Sequence, residues 1–328
     1  MNWAALIPDR FVMVLFGTII FASFVPLRGQ AAEIGSTVSA AAIFLLFLLH
    51  GLRLPRAEVV QAIRDWRLQA IIALFVFAFM PLVGLSASWT MQGQLPAGLV
   101  TGLIFVGLLP STVQSAISYS SLAGGNIAAS VVASALLNLA AIIITPLLVI
   151  LTIGLGSGDS GAANGGALVG KIMLILLLPF CLGQLLQGWF GAWAKERKTL
   201  LGFMDKSAIA TAVYVAFSSA VAGGLWQTVS ATELALLCGV VMVMLLLAFG
   251  GSWLLGGALK LARKDRISMM FSGSHKSIAT GAPMAALIFA GPEAGMVILP
   301  ALIYHQIQLI ISAPLANRLQ RPVLRSAT

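Results

Sequence analysis

Apolar runs long enough to cross a bilayer follow one another along nearly the whole chain, separated by short breaks of polar residues, glycine or proline. A membrane helix needs about 20 such residues. The breaks predict ten spans near residues 10–27, 34–51, 68–88, 97–121, 127–153, 168–190, 206–223, 232–258, 266–290 and 296–316. The connections are too short to fold separately, so residues 1–328 are read as a single transmembrane domain. Arg10 before the run Phe11 to Val25 has the look of a secretory leader, but no clear small-residue cleavage site follows, and the charge pattern requires this segment as the first span.

Charge sharpens the picture. Only 9% of the residues are charged and 59% are hydrophobic, whereas a soluble domain carries about 25% charge. The net charge of +9 would suit nucleic acid, but basic residues gathered into short loops between apolar spans are a topology signal instead, and no nucleic-acid role is expected. One side of the predicted membrane holds Arg10, four arginines from Arg53 to Arg67, four basic residues from Lys195 to Lys206, four from Lys260 to Arg266 and three from Arg318 to Arg325, which is 16 of 19. The other side holds Arg28 and Lys171. The positive-inside rule then puts both termini in the cytoplasm of a plasma membrane, the inner membrane in a bacterium, with the lipid bilayer as the protein's surroundings. Cys181 and Cys238 lie within apolar runs and read as small hydrophobes, not as a disulfide or a metal site. No pattern points to a particular oligomeric state.

The segment Gly154 to Gly170 has flexible-linker composition and divides five spans in residues 1–155 from five in residues 165–328. Because five is odd, the second half enters from the opposite side, the plan of inverted repeats in secondary transporters. Two spans are interrupted by polar residues. The fourth carries Leu109-Pro110-Ser111-Thr112-Val113-Gln114-Ser115, and the ninth carries Ser272 to Pro283, with His275, Lys276 and Ser277 in it. They occupy corresponding places in the two halves. Backbone freed by a break is tolerated in a membrane only against protein or a watery cavity, and a matched pair of breaks marks a transport site. A packing kink is the plainer reading of either proline alone.

At these residues the chain resembles the bile acid:sodium symporter family, in its symporter-like branch. The resemblance rests on Leu108 to Ala116, Gly125-Asn126, Thr145-Pro146-Leu147-Leu148 and His275 to Gly281, and it spans nearly the whole chain. It implies an all-α membrane protein of ten helices. A panel domain (spans 1, 2, 6 and 7) would face a core domain (spans 3–5 and 8–10), with the broken helices crossing in the core. It also implies a cation site of oxygens near the crossing, to which Ser115, Ser130 and Ser134, with Ser272 of the ninth span, would contribute. Ala116 stands where an asparagine is expected, and Ser272 and Lys276 where a glutamate and a glutamine are expected, so sodium coupling is not expected to carry over unchanged.

Every Asp and Glu falls in a loop or at a span end on these boundaries, which leaves Lys276 as the one charged side chain deep in the membrane. Such a group costs about 2.5–3.5 kcal/mol to insert and marks a functional site by default, although a snorkelling lysine is the bland alternative. The expectation is that its ammonium replaces a coupling sodium ion and favours an anionic substrate, with a proton as the other candidate coupling ion. Thr112, Gln114, Ser115, His275, Ser277 and His305 join it as candidate substrate or coupling residues, with Gln306, Asn138 and Tyr119 as weaker ones. A histidine in a membrane is more often a packing residue. No cofactor is expected beyond a coupling ion. The predicted function is secondary transport of a small organic anion. The alternatives are a regulatory membrane protein of the same fold and, less favoured, an intramembrane enzyme using Ser274, His275 and Lys276, whose consecutive side chains point in different directions.

Overall fold

The computed structural model describes residues 10–53, 66–154, 162–289 and 291–325. Arg56, Arg64 and linker residues 155–161 lie outside the described residues. Among those described there is no strand. The helices are α1 (Arg10–Phe24), α2 (Gln30–Arg53), α3 (Trp66–Met91), α4 (Ala97–Leu108), α5 (Gln114–Leu122), α6 (Ile127–Ile153), α7 (Ala162–Glu196), α8 (Lys198–Ala222), α9 (Ala231–Ala258), α10 (Arg263–Ser274), α11 (Ile278–Ile288) and α12 (Glu293–Arg325), with a single turn at Leu225–Thr228. Seven are long and apolar enough to cross a membrane: α2, α3, α6, α8, α9 and the apolar parts of α7 and α12. The chain is an integral, multi-pass membrane protein.

Local chemistry fixes the helix ends. Asn126 caps α6 by accepting from the Ala129 N–H at 3.1 Å, and Gly154 closes the same helix at φ 69°, a conformation open to glycine. Ser230 and Glu233 form a reciprocal capping box at the start of α9. Ser230→Ala is expected to cost about 1 kcal/mol, read as faster hydrogen exchange of the first-turn amides of α9.

Several helices overrun the predicted spans. The seventh span was predicted from residue 206, yet α8 starts at Lys198, and α7 begins at Ala162 inside the predicted linker. Apolar periodicity stops where lysines, glutamate and small residues begin, but helical hydrogen bonding does not, since lysine, arginine and glutamate are good helix formers whose heads reach the interface. Asp205 therefore lies two turns inside α8, correcting the expectation that every carboxylate sits in a loop or at a span end.

The helices pack in two groups. In the outer group α2 runs along α7 and α8, and α1 lies on α8. The approach of α2 to α7 is backbone against backbone: a Cβ on Gly51 would overlap the Phe180 carbonyl, and one on Gly183 would overlap the Leu48 carbonyl. The inner group holds α3–α6 and α9–α12, where α4 packs between α3 and α12 and α10 lies on α9 and α5. Gly107 lets α4 close on Met80 and Gly84 of α3. The groups meet where α8 touches α11 and α12 and where α6 touches α7.

Candidate functional site

Both polar breaks are present. Helix α4 stops at Leu108, residues 109–113 run without helix, and α5 starts at Gln114; α10 stops at Ser274 and α11 starts at Ile278. Proline explains the first break, because Pro110 offers no N–H. At the second, His275 (φ −74°, ψ 137°) and Ser277 (φ −85°, ψ 106°) are extended, and Ser277 caps α11 by accepting from the Thr280 N–H at 3.2 Å.

An interrupted helix frees carbonyls that hydrocarbon cannot satisfy. Six consecutive ones, from residue 107 to residue 112, are each answered by another element. Lys276 Nζ donates to Gly107 O at 3.1 Å and Leu109 O at 2.7 Å. Thr145 on α6 donates to Leu108 O at 2.9 Å, and the Ser277 N–H reaches Pro110 O at 2.9 Å, joining the two breaks directly. Asn138 donates to Ser111 O at 2.8 Å, and Ser134 lies 3.4 Å from Thr112 O. The second break is held from α12: Tyr304 donates to Ser274 O at 2.8 Å, and Gln308 accepts from the Lys276 N–H at 2.8 Å while its amide donates to Lys276 O at 3.2 Å. His305 Nδ1 lies 3.1 Å from the same oxygen.

Lys276 is 1% exposed. Its ammonium sits on the last carbonyls of α4, the negative end of that half-helix, and no carboxylate pairs with it among the described residues. His275 is fully buried against the rings of Tyr119, Phe249 and Phe271. Its Nε2 lies 2.8 Å from Ser312 Oγ, which itself donates to Gln308 O at 2.6 Å. The serine has one proton, so it accepts from Nε2–H, and in the neutral ring Nδ1 is the acceptor. Ser115 at 3.0 Å and Thr112 at 3.3 Å face that nitrogen, and the two hydroxyls lie 2.5 Å apart.

A cavity of about 1030 Å³ lies beside the crossing, between the two helix groups. Thr112, Gln114, Ser115, Asn138, Ser277, Thr280, His305 and Gln306 supply its polar wall, and Phe11, Phe47, Phe180, Leu139, Ile142 and Leu309 supply apolar surface. Arg53, Lys195, Lys198, Asp205 and Lys206 are also among its lining residues, with Arg53 paired to Asp205. Of the candidate substrate or coupling residues, Thr112, Gln114, Ser115, Ser277 and His305 line this cavity, whereas His275 and Lys276 stand behind its wall. The four serines of the expected cation site are not joined into one hydrogen-bonded set. Ser115 belongs to the His275 cluster, and Ser134 reaches Thr112 O. Ser130 donates to Ser120, which contacts Ser268, and Ser272 Oγ is buried without a partner among the described residues.

Sequence reading missed Gln308 and Ser312. The signal was present: His305, Gln306, Gln308 and Ser312 form a polar cluster within the apolar stretch from residue 294 to residue 316. It also read Lys195, Lys198 and Lys206 only as topology, although they line the cavity.

A profile of the SBF-like CPA transporter family matches residues 9–321. The chain is 39% identical over 315 residues to an uncharacterized protein of Pseudomonas aeruginosa, covering 96% of this chain and 94% of that one. It is 38% identical over 313 residues to the Escherichia coli protein YfeH, whose name marks it as a candidate symporter, covering 95% and 93%. It is 27% identical over 313 residues to sodium/bile acid cotransporter 7 of Mus musculus, covering 93% and 89%. With the match running over nearly its whole length, and with two broken helices joined beside a large cavity, the chain belongs to the SBF-like CPA transporter family.

Proposed function

We propose that this transporter is a secondary active carrier of small organic anions that works by alternating access. The observation that carries the reading is the joining of two broken half-helices beside a cavity of about 1030 Å³ lined by both polar and apolar side chains. That volume suits an organic molecule rather than a bare ion. On this reading α4 with α5 is the fourth of ten spans and α10 with α11 the ninth, in two inverted five-helix repeats with both termini in the cytoplasm. The lysines that line the cavity then face the cytoplasm, and the conformation is open inward. Membership of a transporter family removes the enzyme alternative.

Lys276 supports a departure in coupling. The ammonium puts a fixed cation on Gly107 O and Leu109 O, a place where carbonyls at a half-helix end suit a bound cation. It stands for one coupling ion that the carrier does not take from solution, and Ser115, Ser130, Ser134 and Ser272 remain candidates for any further cation. The test is counterflow in proteoliposomes with taurocholate and short-chain carboxylates as probes. Uptake by the unmodified protein is expected to be equal in sodium and choline buffers, and Lys276→Gln is expected to become sodium-dependent or inactive. Steep sodium dependence shared by both proteins would overturn the coupling reading, and binding of the probes without counterflow would favour a regulatory protein of this fold.

A further inference from the structure

A cavity that accepts an anion needs a positive field. The buried lysine is the obvious source in a sequence whose other basic residues gather in loops. The geometry gives it another task. Both contacts of its ammonium are carbonyls at the negative end of α4, which carries roughly half an elementary charge of opposite sign. It is 1% exposed and does not line the cavity.

Four other cations do line it: Arg53, Lys195, Lys198 and Lys206. One carboxylate, Asp205, lines it with them, and that carboxylate is held by Arg53 across α2 and α8. The three lysines therefore face the cavity with their charge uncancelled by its other lining residues. They come from the last turn of α7 and the first turns of α8, on the outer helix group, where Phe11, Phe47 and Phe180 also face the cavity. Lys206 lies over the Phe11 ring at 5.9 Å, so charge and apolar surface adjoin.

On the transporter reading above, we infer that Lys195, Lys198 and Lys206 of the outer group are the charge-selecting residues for the anion, and that Lys276 is not. The occupant this fits is an amphipathic organic anion, with its charged end at the lysines, its body on the neighbouring aromatic wall, and its polar substituents toward Gln114, Ser115 and Thr280 across the cavity. Charge recognition and the polar contacts of the broken helices then belong to different helix groups. A charged end follows the outer group whichever way the inner group is turned.

The field can be measured without knowing the substrate. Ser118 is exposed into the cavity from α5. In a Cys181→Ala/Cys238→Ala background, Ser118→Cys gives a reporter thiol. Its thiolate attacks a methanethiosulfonate, forming a mixed disulfide and releasing methanesulfinate. The anionic 2-sulfonatoethyl and cationic 2-(trimethylammonio)ethyl reagents are compared on protein in lipid nanodiscs at low salt, with mercaptoethanol as the reference thiol.

The anionic-to-cationic rate ratio is expected to exceed the reference ratio by about tenfold or more, the scale of focusing in a charged cleft. Lys195→Gln/Lys198→Gln/Lys206→Gln should bring it close to the reference, the corresponding triple change to arginine should restore it, and Lys276→Gln should leave it high. A ratio unchanged by the triple glutamine change would overturn the inference, as would one that collapses in Lys276→Gln with the three lysines intact. Should Lys276→Gln not fold, the triple variant and its arginine rescue decide alone. No transport is read, so failure here is distinct from failure of the carrier reading.

Discussion

Lys276→Met is expected to lower the unfolding temperature of the purified protein by about 3–6 °C. Methionine matches the length of the lysine stem but donates nothing, and Gly107 O and Leu109 O lose the donor that the structure gives them. A buried carbonyl left unsatisfied costs about 1–3 kcal/mol. The relief of no longer burying an ammonium offsets part of this, leaving roughly 2–4 kcal/mol of destabilisation. Lys276→Gln keeps a donor of shorter reach and should fall between the two. A methionine variant as stable as the unmodified protein would mean that the ammonium does not hold the crossing together, and that its charge serves another purpose.

A second large effect is expected at the contact of α2 with α7. Gly183→Leu and Gly51→Val place carbon where the Leu48 and Phe180 carbonyls already lie. Overpacking that side chains can absorb costs about 1–3 kcal/mol, but here the obstacle is backbone on a neighbouring helix, and the helices must separate. Each variant should be lost from the monodisperse peak on size-exclusion chromatography. Gly188→Ala is the control on the same helix, since a Cβ there meets nothing within 4 Å. It should be neutral or slightly stabilising, because glycine costs about 1 kcal/mol relative to alanine inside a helix.

Much of this architecture is legible in the amino-acid sequence. Long apolar runs mark the helices that can cross a membrane, and Pro110 and the polar residues 272–280 mark the breaks, because both signals are written in side chains. What answers those breaks is written partly in backbone. The side-chain partners of Lys276 are two carbonyls, which no residue type announces, so its sequence context could not show that its ammonium is turned onto α4. The starts of α7 and α8 lie outside the predicted spans for a related reason: an apolar run reports burial in lipid or protein, and a helix can outlast both. Lys195 and Lys206 followed the charge asymmetry of the loops so well that topology accounted for them, and only packing brings them to one cavity. Gln308 was hidden by its neighbour Gln306, which alone of the two lines that cavity.

The six answered carbonyls between residues 107 and 112 bear on how this segment can vary. At Ser134, Asn138, Thr145 and Lys276 the crossing asks for a proton donor at a given height, and two of these side chains bring more, since Asn138 also accepts from Thr280 and Lys276 carries a charge. Thr145→Ser keeps that donor and Thr145→Val removes it at nearly the same volume. Substitution in this part of the protein is therefore governed by a vocabulary of donors rather than by size or hydrophobicity, the reverse of the rule for the apolar helices around it.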